Sequence, residues 1–125
     1  MMEKRYEVGL QLMNEVVGEF GGHTRDFLKG VAPDFERFLV EFPFGDIYSR
    51  PGLDLKSREI ATIAALTALG YAIPQVKVHI NGALNVGCTK EEIVEIMMQM
   101  AVYAGFPAAL NGLNAAKEVF TTRNL

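Results

Sequence analysis

Apolar residues return at three- and four-residue steps along almost the whole chain. Residues 3–20 place Leu10, Met13, Val17 and Phe20 on one stripe, the pattern of an amphipathic helix. The Gly21-Gly22 pair is expected to end it, and a short helix is expected over Thr24 to Lys29. Pro33 suits the first turn of a further helix, with Phe35, Phe38, Leu39 and Phe42 on its apolar face and Pro43 as its stop. Phe44 to Asp54 contains Gly45, Pro51 and Gly52 and reads as a loop with at most one helical turn.

The most apolar helix is expected from Leu55 to Leu69, with Asp54 at its N-cap and Gly70 as its terminator. Its stretch Ile60–Leu69 carries no charge, which predicts burial on every side. Pro74 starts the next helix, which ends near Val86 ahead of Gly87. Thr89-Lys90-Glu91-Glu92 has the form of a capping box and opens a helix running to about Ala104. Pro107 starts the last helix, ending near Phe120. No segment alternates with period two between turn signals, so no strand is expected. With no repeat, linker or low-complexity segment, residues 1–125 read as one all-α domain, a bundle of six or seven helices.

Composition adds a further expectation. Half of the 125 residues are apolar, which is more than a small monomer with short helices can cover. The stretches Ile60–Leu69 and Ile93–Ala104 contribute most of it, so a homo-oligomer with a subunit interface around His79 is expected. Twelve Lys+Arg against 15 Asp+Glu give a net charge of −3, and the isoelectric point is about 5.4. No basic run is present, which argues against a nucleic-acid partner. One cysteine makes neither an internal disulfide nor a thiolate-rich zinc site, and fits a reducing compartment. MMEKRYEVG lacks the apolar stretch of a signal peptide, and Lys77 and Asn81 interrupt the apolar centre of the chain. A soluble cytoplasmic protein without membrane association is expected.

Two side chains stand out chemically. His79 shares its helical face with Gln75, Val76, Gly82, Ala83 and Val86, while Lys77, Asn81 and Asn85 form the opposite, wet stripe. An inward histidine is either a satisfied core residue or a proton donor and acceptor, and the small Gly82 and Ala83 leave room for a close helix or a ligand. Glu59 lies near the start of its helix among Leu55, Thr62, Ile63 and Leu66. There it either compensates the helix dipole or pairs with His79 for acid–base work. Arg50 and Arg58 flank the Arg-Pro-Gly-Leu turn. Each is either a surface ion-pair partner or a clamp for a substrate carboxylate.

The remaining candidates read as structural. Cys88 precedes the Thr89 cap and is expected to staple against Ile93 rather than to act as a redox thiol. Met97, Met98 and Met100 read as core or interface, with Glu91, Glu95 and Gln99 on the wet face. His23 is expected in a loop, and two histidines so far apart form no metal-ligand pattern. No glycine-rich phosphate loop and no Gly-x-Ser-x-Gly elbow is present.

Several stretches together resemble the carboxymuconolactone decarboxylase family. They are FGDIYSRPGL at Phe44–Leu53, SREIATIAAL at Ser57–Leu66, HINGALNVGCTKEEI at His79–Ile93, and QMAVYAGFPAA at Gln99–Ala109. The likeness covers nearly the whole chain, and His79 and Glu59 match positions the family treats as functional. It implies an alkylhydroperoxidase D-like helical fold that assembles into a homo-oligomeric ring, often a hexamer built as a trimer of dimers. One branch of the family decarboxylates 4-carboxymuconolactone in aromatic catabolism, within the β-ketoadipate pathway. The other, resembling alkylhydroperoxidase D, is a peroxiredoxin-type antioxidant enzyme with a CxxC just ahead of the histidine. Here those two positions are Ala72 and Gln75, so the thiol relay is absent and the decarboxylase branch is favoured.

The implied mechanism needs no cofactor, because the lactone accepts its own electrons when carbon dioxide leaves. His79 would deliver the proton to carbon, Glu59 would orient His79 and balance its charge, and Arg58 or Arg50 would hold substrate carboxylates. The alternatives are a thiol peroxidase acting through Cys88 and a non-catalytic helical assembly module with a solidly packed His79 face.

Overall fold

A computed structural model of the chain describes residues 2–125, with side chains from residue 4 onward. Among the described residues it is all helical. In chain order come α1 (Met2–Val17), α2 (Glu19–Val31), α3 (Pro33–Leu39), a π-helical stretch (Val40–Tyr48), α4 (Leu55–Leu69), α5 (Ile73–Asn85), α6 (Lys90–Ala104) and α7 (Phe106–Thr122). Their contacts gather into two compact units, one up to Leu55 and one from Lys56 to Leu125.

In the first unit the break after α1 falls at Gly18, whose φ of +58° lies in the left-handed region that favours glycine. The expected stop at Gly21-Gly22 is not one, and His23 lies within α2 rather than in a loop. A Cβ on Gly21 would sit 2.8 Å from Met13 Cγ, so this glycine lets α2 pack on α1. Pro33 opens α3 as expected. Pro43 does not stop the chain, because the helix has already widened into the π-helical stretch, where the clash of a proline ring with the preceding turn is relieved. The expected loop therefore begins only after Tyr48. That stretch presses on α1. Gly9 faces the Val40 carbonyl with no space for a Cβ, and a Cβ on Gly45 would lie 2.6 Å from the Arg5 carbonyl oxygen.

The polarity of α3 and the π-helical stretch runs opposite to expectation. Phe35, Phe38 and Phe42 are exposed, whereas Glu36 and Glu41 are buried. The carboxylates turn inward because that side supplies partners. Tyr6 Oη donates to Glu36 Oε2 at 2.5 Å. Glu41 lies 3.6 Å from Arg37 Nε and 3.9 Å from Arg5 Nη1. Arg5 also holds Asp46 through two parallel bonds of 3.0 and 2.6 Å.

The second unit is built on Ile63, Val76, Ile80, Ile93 and Met97, all fully buried, joined by Ala83, Ala115, Ala116 and Phe120. From α4 only the stripe Glu59, Ile63 and Thr67 is buried, while Ala61, Ala65, Ala68 and Leu69 are exposed. Burial of α4 on every side is thus not met within the chain, whose own helices cover one stripe of it. Gly70, at φ +83°, terminates α4 as expected. The capping box of α6 is complete. The Glu92 amide donates to Thr89 Oγ1 at 3.0 Å, and the Thr89 amide donates to Glu92 Oε1 at 2.8 Å. Cys88 and Ile93 are buried in one cluster, as the staple requires. A Cβ on Gly112 would sit 2.6 Å from Met97 Sδ and 2.8 Å from Thr67 Cγ2, so its bare backbone lets α7 approach both helices.

Asn81 departs from its expected wet position and is only 8% exposed. The end of α7 covers that edge of α5. Arg123 Nη1 donates to Asn81 Oδ1 at 3.2 Å and to Asn85 Oδ1 at 3.0 Å, and Lys77 pairs with Glu118 at 2.6 Å. Among the described residues no helix is long and apolar enough to cross a membrane.

Candidate active site

Glu59 is the fifth residue of α4 and heads its buried stripe, directly ahead of Ile63. Its neighbour across the second unit is His79, midway along α5. His79 Nδ1 lies 2.9 Å from Glu59 Oε1 and 3.1 Å from Oε2. The helical spacing brings this about. Ile63 on α4 and Val76 and Ile80 on α5 are packed into the same core, and Glu59 and His79 lie beside them at the edge of that contact.

The two residues differ sharply in access. Glu59 is fully buried, whereas 20% of the His79 side chain is open. A carboxylate offers only acceptors, so against it Nδ1 is the donor nitrogen of the ring, and Nε2 is the one turned away from Glu59. Burying a carboxylate costs several kcal/mol unless it is paired. At this position the imidazole supplies the pairing, and Glu59 in turn fixes the ring's tautomer and orientation. An oriented imidazole that is partly open can give or take one proton at a defined point.

The other candidates are placed as follows. Arg58 adjoins Glu59 in α4, is half-buried, and its carbonyl accepts from Thr62 Oγ1 at 2.8 Å. Arg50 lies in the first unit, exposed, in the turn after the π-helical stretch, where its amide donates to the Ile47 carbonyl at 3.1 Å. Met97 is fully buried and its thioether accepts from Thr67 Oγ1 at 3.3 Å, while Met98 is 46% exposed. Burial pushes the Cys88 thiol up, and the charge of Glu92 pushes it the same way, so the reactive thiolate is disfavoured. Periodicity missed the polar link between α5 and the end of α7. An asparagine on a polar stripe carries no sign that an arginine some forty residues on will bury it.

A profile described as the carboxymuconolactone decarboxylase family matches residues 33–118 and so spans parts of both units. The chain is 37% identical over 119 residues to the 4-carboxymuconolactone decarboxylase of Acinetobacter baylyi, covering 94% of this chain and 88% of that protein. It is 32% identical to an uncharacterized 15.0 kDa protein of Paracoccus denitrificans from the nqo9-nqo10 intergenic region, covering 94% of this chain and 92% of that protein. It is 27% identical to the nitrosuccinic acid decarboxylase of Metarhizium robertsii, covering 86% of this chain and 76% of that protein. With an all-helical chain, a single cysteine and a family match over most of its length, the chain belongs to the carboxymuconolactone decarboxylase family and lacks the CxxC of its thiol-dependent branch.

Proposed function

We propose that Glu59 and His79 form the catalytic centre of a cofactor-independent decarboxylase, acting on 4-carboxymuconolactone or a related small carboxylated lactone and yielding an enol-lactone and carbon dioxide. The observation that carries this reading is the 2.9 Å contact of a partly open His79 with a fully buried Glu59. Two relatives whose names specify decarboxylation, at 37% and 27% identity, support the reaction class.

The chemistry asks three things of the protein. The carbon–carboxylate bond breaks, and its electron pair moves through the ring alkene onto the lactone carbonyl oxygen. Charge on that oxygen must be stabilised, and one proton must reach carbon. His79 supplies the proton from Nε2, while Glu59 holds the ring through Nδ1. Arg58 binds a substrate carboxylate, with Arg50 as the second candidate. The raised thiol of Cys88 weighs against the thiol-peroxidase alternative, and the open fifth of the His79 side chain weighs against a solidly packed assembly module.

In this reading residues 1–125 act as one functional domain of a soluble cytoplasmic enzyme. The exposed Tyr71, Val102, Tyr103 and Phe106, each more than 70% accessible, are covered by further copies in a homo-oligomer, a hexamer built as a trimer of dimers. Purified protein incubated with 4-carboxymuconolactone is expected to release carbon dioxide. His79→Ala is expected to abolish turnover and to leave the mass in light scattering unchanged. Full activity in His79→Ala rejects the catalytic assignment, and a monomeric mass at micromolar concentration rejects the assembly.

A further inference from the structure

The polar edge of α5 opposite His79 is anchored from outside the helix. Taking about 100° per residue, Val76, Ile80 and Ala83 lie to one side of His79, and Lys77, Asn81 and Asn85 lie on the far side of the helix. The apolar side fixes how deeply α5 sits and holds it roughly in place, while directional contacts set its slide and roll more finely. Directional contacts border that side on both flanks. On one flank His79 Nδ1 meets Glu59 at 2.9 and 3.1 Å. On the other a single nitrogen, Arg123 Nη1, donates to Asn81 Oδ1 at 3.2 Å and to Asn85 Oδ1 at 3.0 Å. Those two asparagines are one helical turn apart, so the guanidinium bridges successive turns and marks a fixed point along the axis.

Asn81 makes this contact binding. It is 8% exposed, its Nδ2 already donates to the Lys77 carbonyl at 3.1 Å, and among the described residues Arg123 is the donor its oxygen finds. Without Arg123 a buried amide oxygen loses its donor, and α5 recovers one by rolling or sliding toward water. A shift of even half an ångström is enough to weaken bonds of 2.9 and 3.1 Å on the opposite flank.

We infer that Arg123, at the end of α7, is a positioning residue that sets the register of α5 and through it the contact of His79 with Glu59. The inference rests on the reading of that pair as the working centre, but its test needs no substrate. The exchange rate of the His79 Nδ1–H proton is followed by NMR in uniformly 15N-labelled protein, relative to the amide of Ile93 in the core. A general loss of stability moves both signals alike, whereas a shift of α5 moves the imidazole alone. In Arg123→Ala the ratio is expected to rise at least about fivefold. A smaller rise overturns the inference. Should Arg123→Ala fail to fold, Asn85→Ala decides: this exposed position loses one of the two acceptors, and the ratio is expected to rise at least about twofold. No change there overturns the inference as well. If the unaltered protein releases no carbon dioxide from the lactone, the decarboxylase reading fails while this measurement stands.

Discussion

Replacing Glu59 by glutamine separates what this residue does for the fold from what it does for His79. The side chain keeps its length and shape and loses its charge. At the observed 2.9 Å, and with an effective dielectric of about 20, an imidazolium and a carboxylate attract by about 6 kcal/mol before any cost is counted. Desolvation of a fully buried carboxylate offsets most of that. The net difference between a charge-assisted and a neutral hydrogen bond is about 1–2 kcal/mol. Both carboxylate oxygens lie within 3.1 Å of Nδ1, so the amide also places an N–H₂ donor against the Nδ1–H donor unless one of the two groups turns. Decarboxylation is therefore expected to fall by a factor of roughly 5 to 30. Stability is expected to stay level or rise, since a buried charge has been removed. Carbon dioxide release and urea unfolding are measured on the same preparation. A rate within about twofold of the unaltered protein refutes the argument. So does a loss of rate matched by an equal loss of stability, because Glu59 would then be a structural residue.

Three further outcomes follow from the geometry. Gly112→Ala places a Cβ 2.6 Å from Met97 Sδ and is expected to cost about 1–3 kcal/mol in urea unfolding, and a neutral result would mean that α7 does not approach this closely. Glu92 is held below the ordinary carboxylate range by the Thr89 amide first and by Lys56 next. Its contribution is therefore complete above its ordinary value of 4.5 and is lost as pH falls through the lowered one. Glu92→Gln should flatten the acid side of the stability profile, and an unchanged slope there would count against the cap. Cys88, buried and raised, is expected to react with a disulfide reagent at least about tenfold more slowly in the native protein than in urea, and equal rates would contradict its burial.

Local rules served well where the determining atoms are near in sequence. Thr89 and Glu92 are three positions apart, and their capping box is present atom for atom. Gly70 ends α4 for the same local reason. The spacing of Glu59 and His79 on inward stripes anticipated their orientation, but their meeting depends on how α4 and α5 pack, which periodicity does not encode. Elsewhere distant partners decided. Gly21 looks like a helix stop until Met13 is known to occupy the space its Cβ would need. The phenylalanines of α3 look like core until Tyr6, Arg5 and Arg37 draw the intervening carboxylates inward. Asn81 looks wet until Arg123 reaches it. The contacts of Tyr6 with Glu36, of Arg5 with Glu41 and of Arg123 with Asn81 span more sequence than a helical window covers, and that of Gly21 with Met13 crosses the helix break at Gly18.

The crossing of α1 with the π-helical stretch has a consequence for how this protein can change. At Gly9 and Gly45 the obstruction is a carbonyl of the opposing backbone, Val40 on one side and Arg5 on the other. Every amino acid other than glycine carries a Cβ, so each single substitution at either codon meets the same obstacle. A side chain in the way can be shortened by a second mutation, but a peptide group cannot. These two positions therefore close off a region of sequence space in both directions. A descendant of this chain can move the crossing only by rebuilding both helices together, and random single-site libraries should return functional clones at neither position.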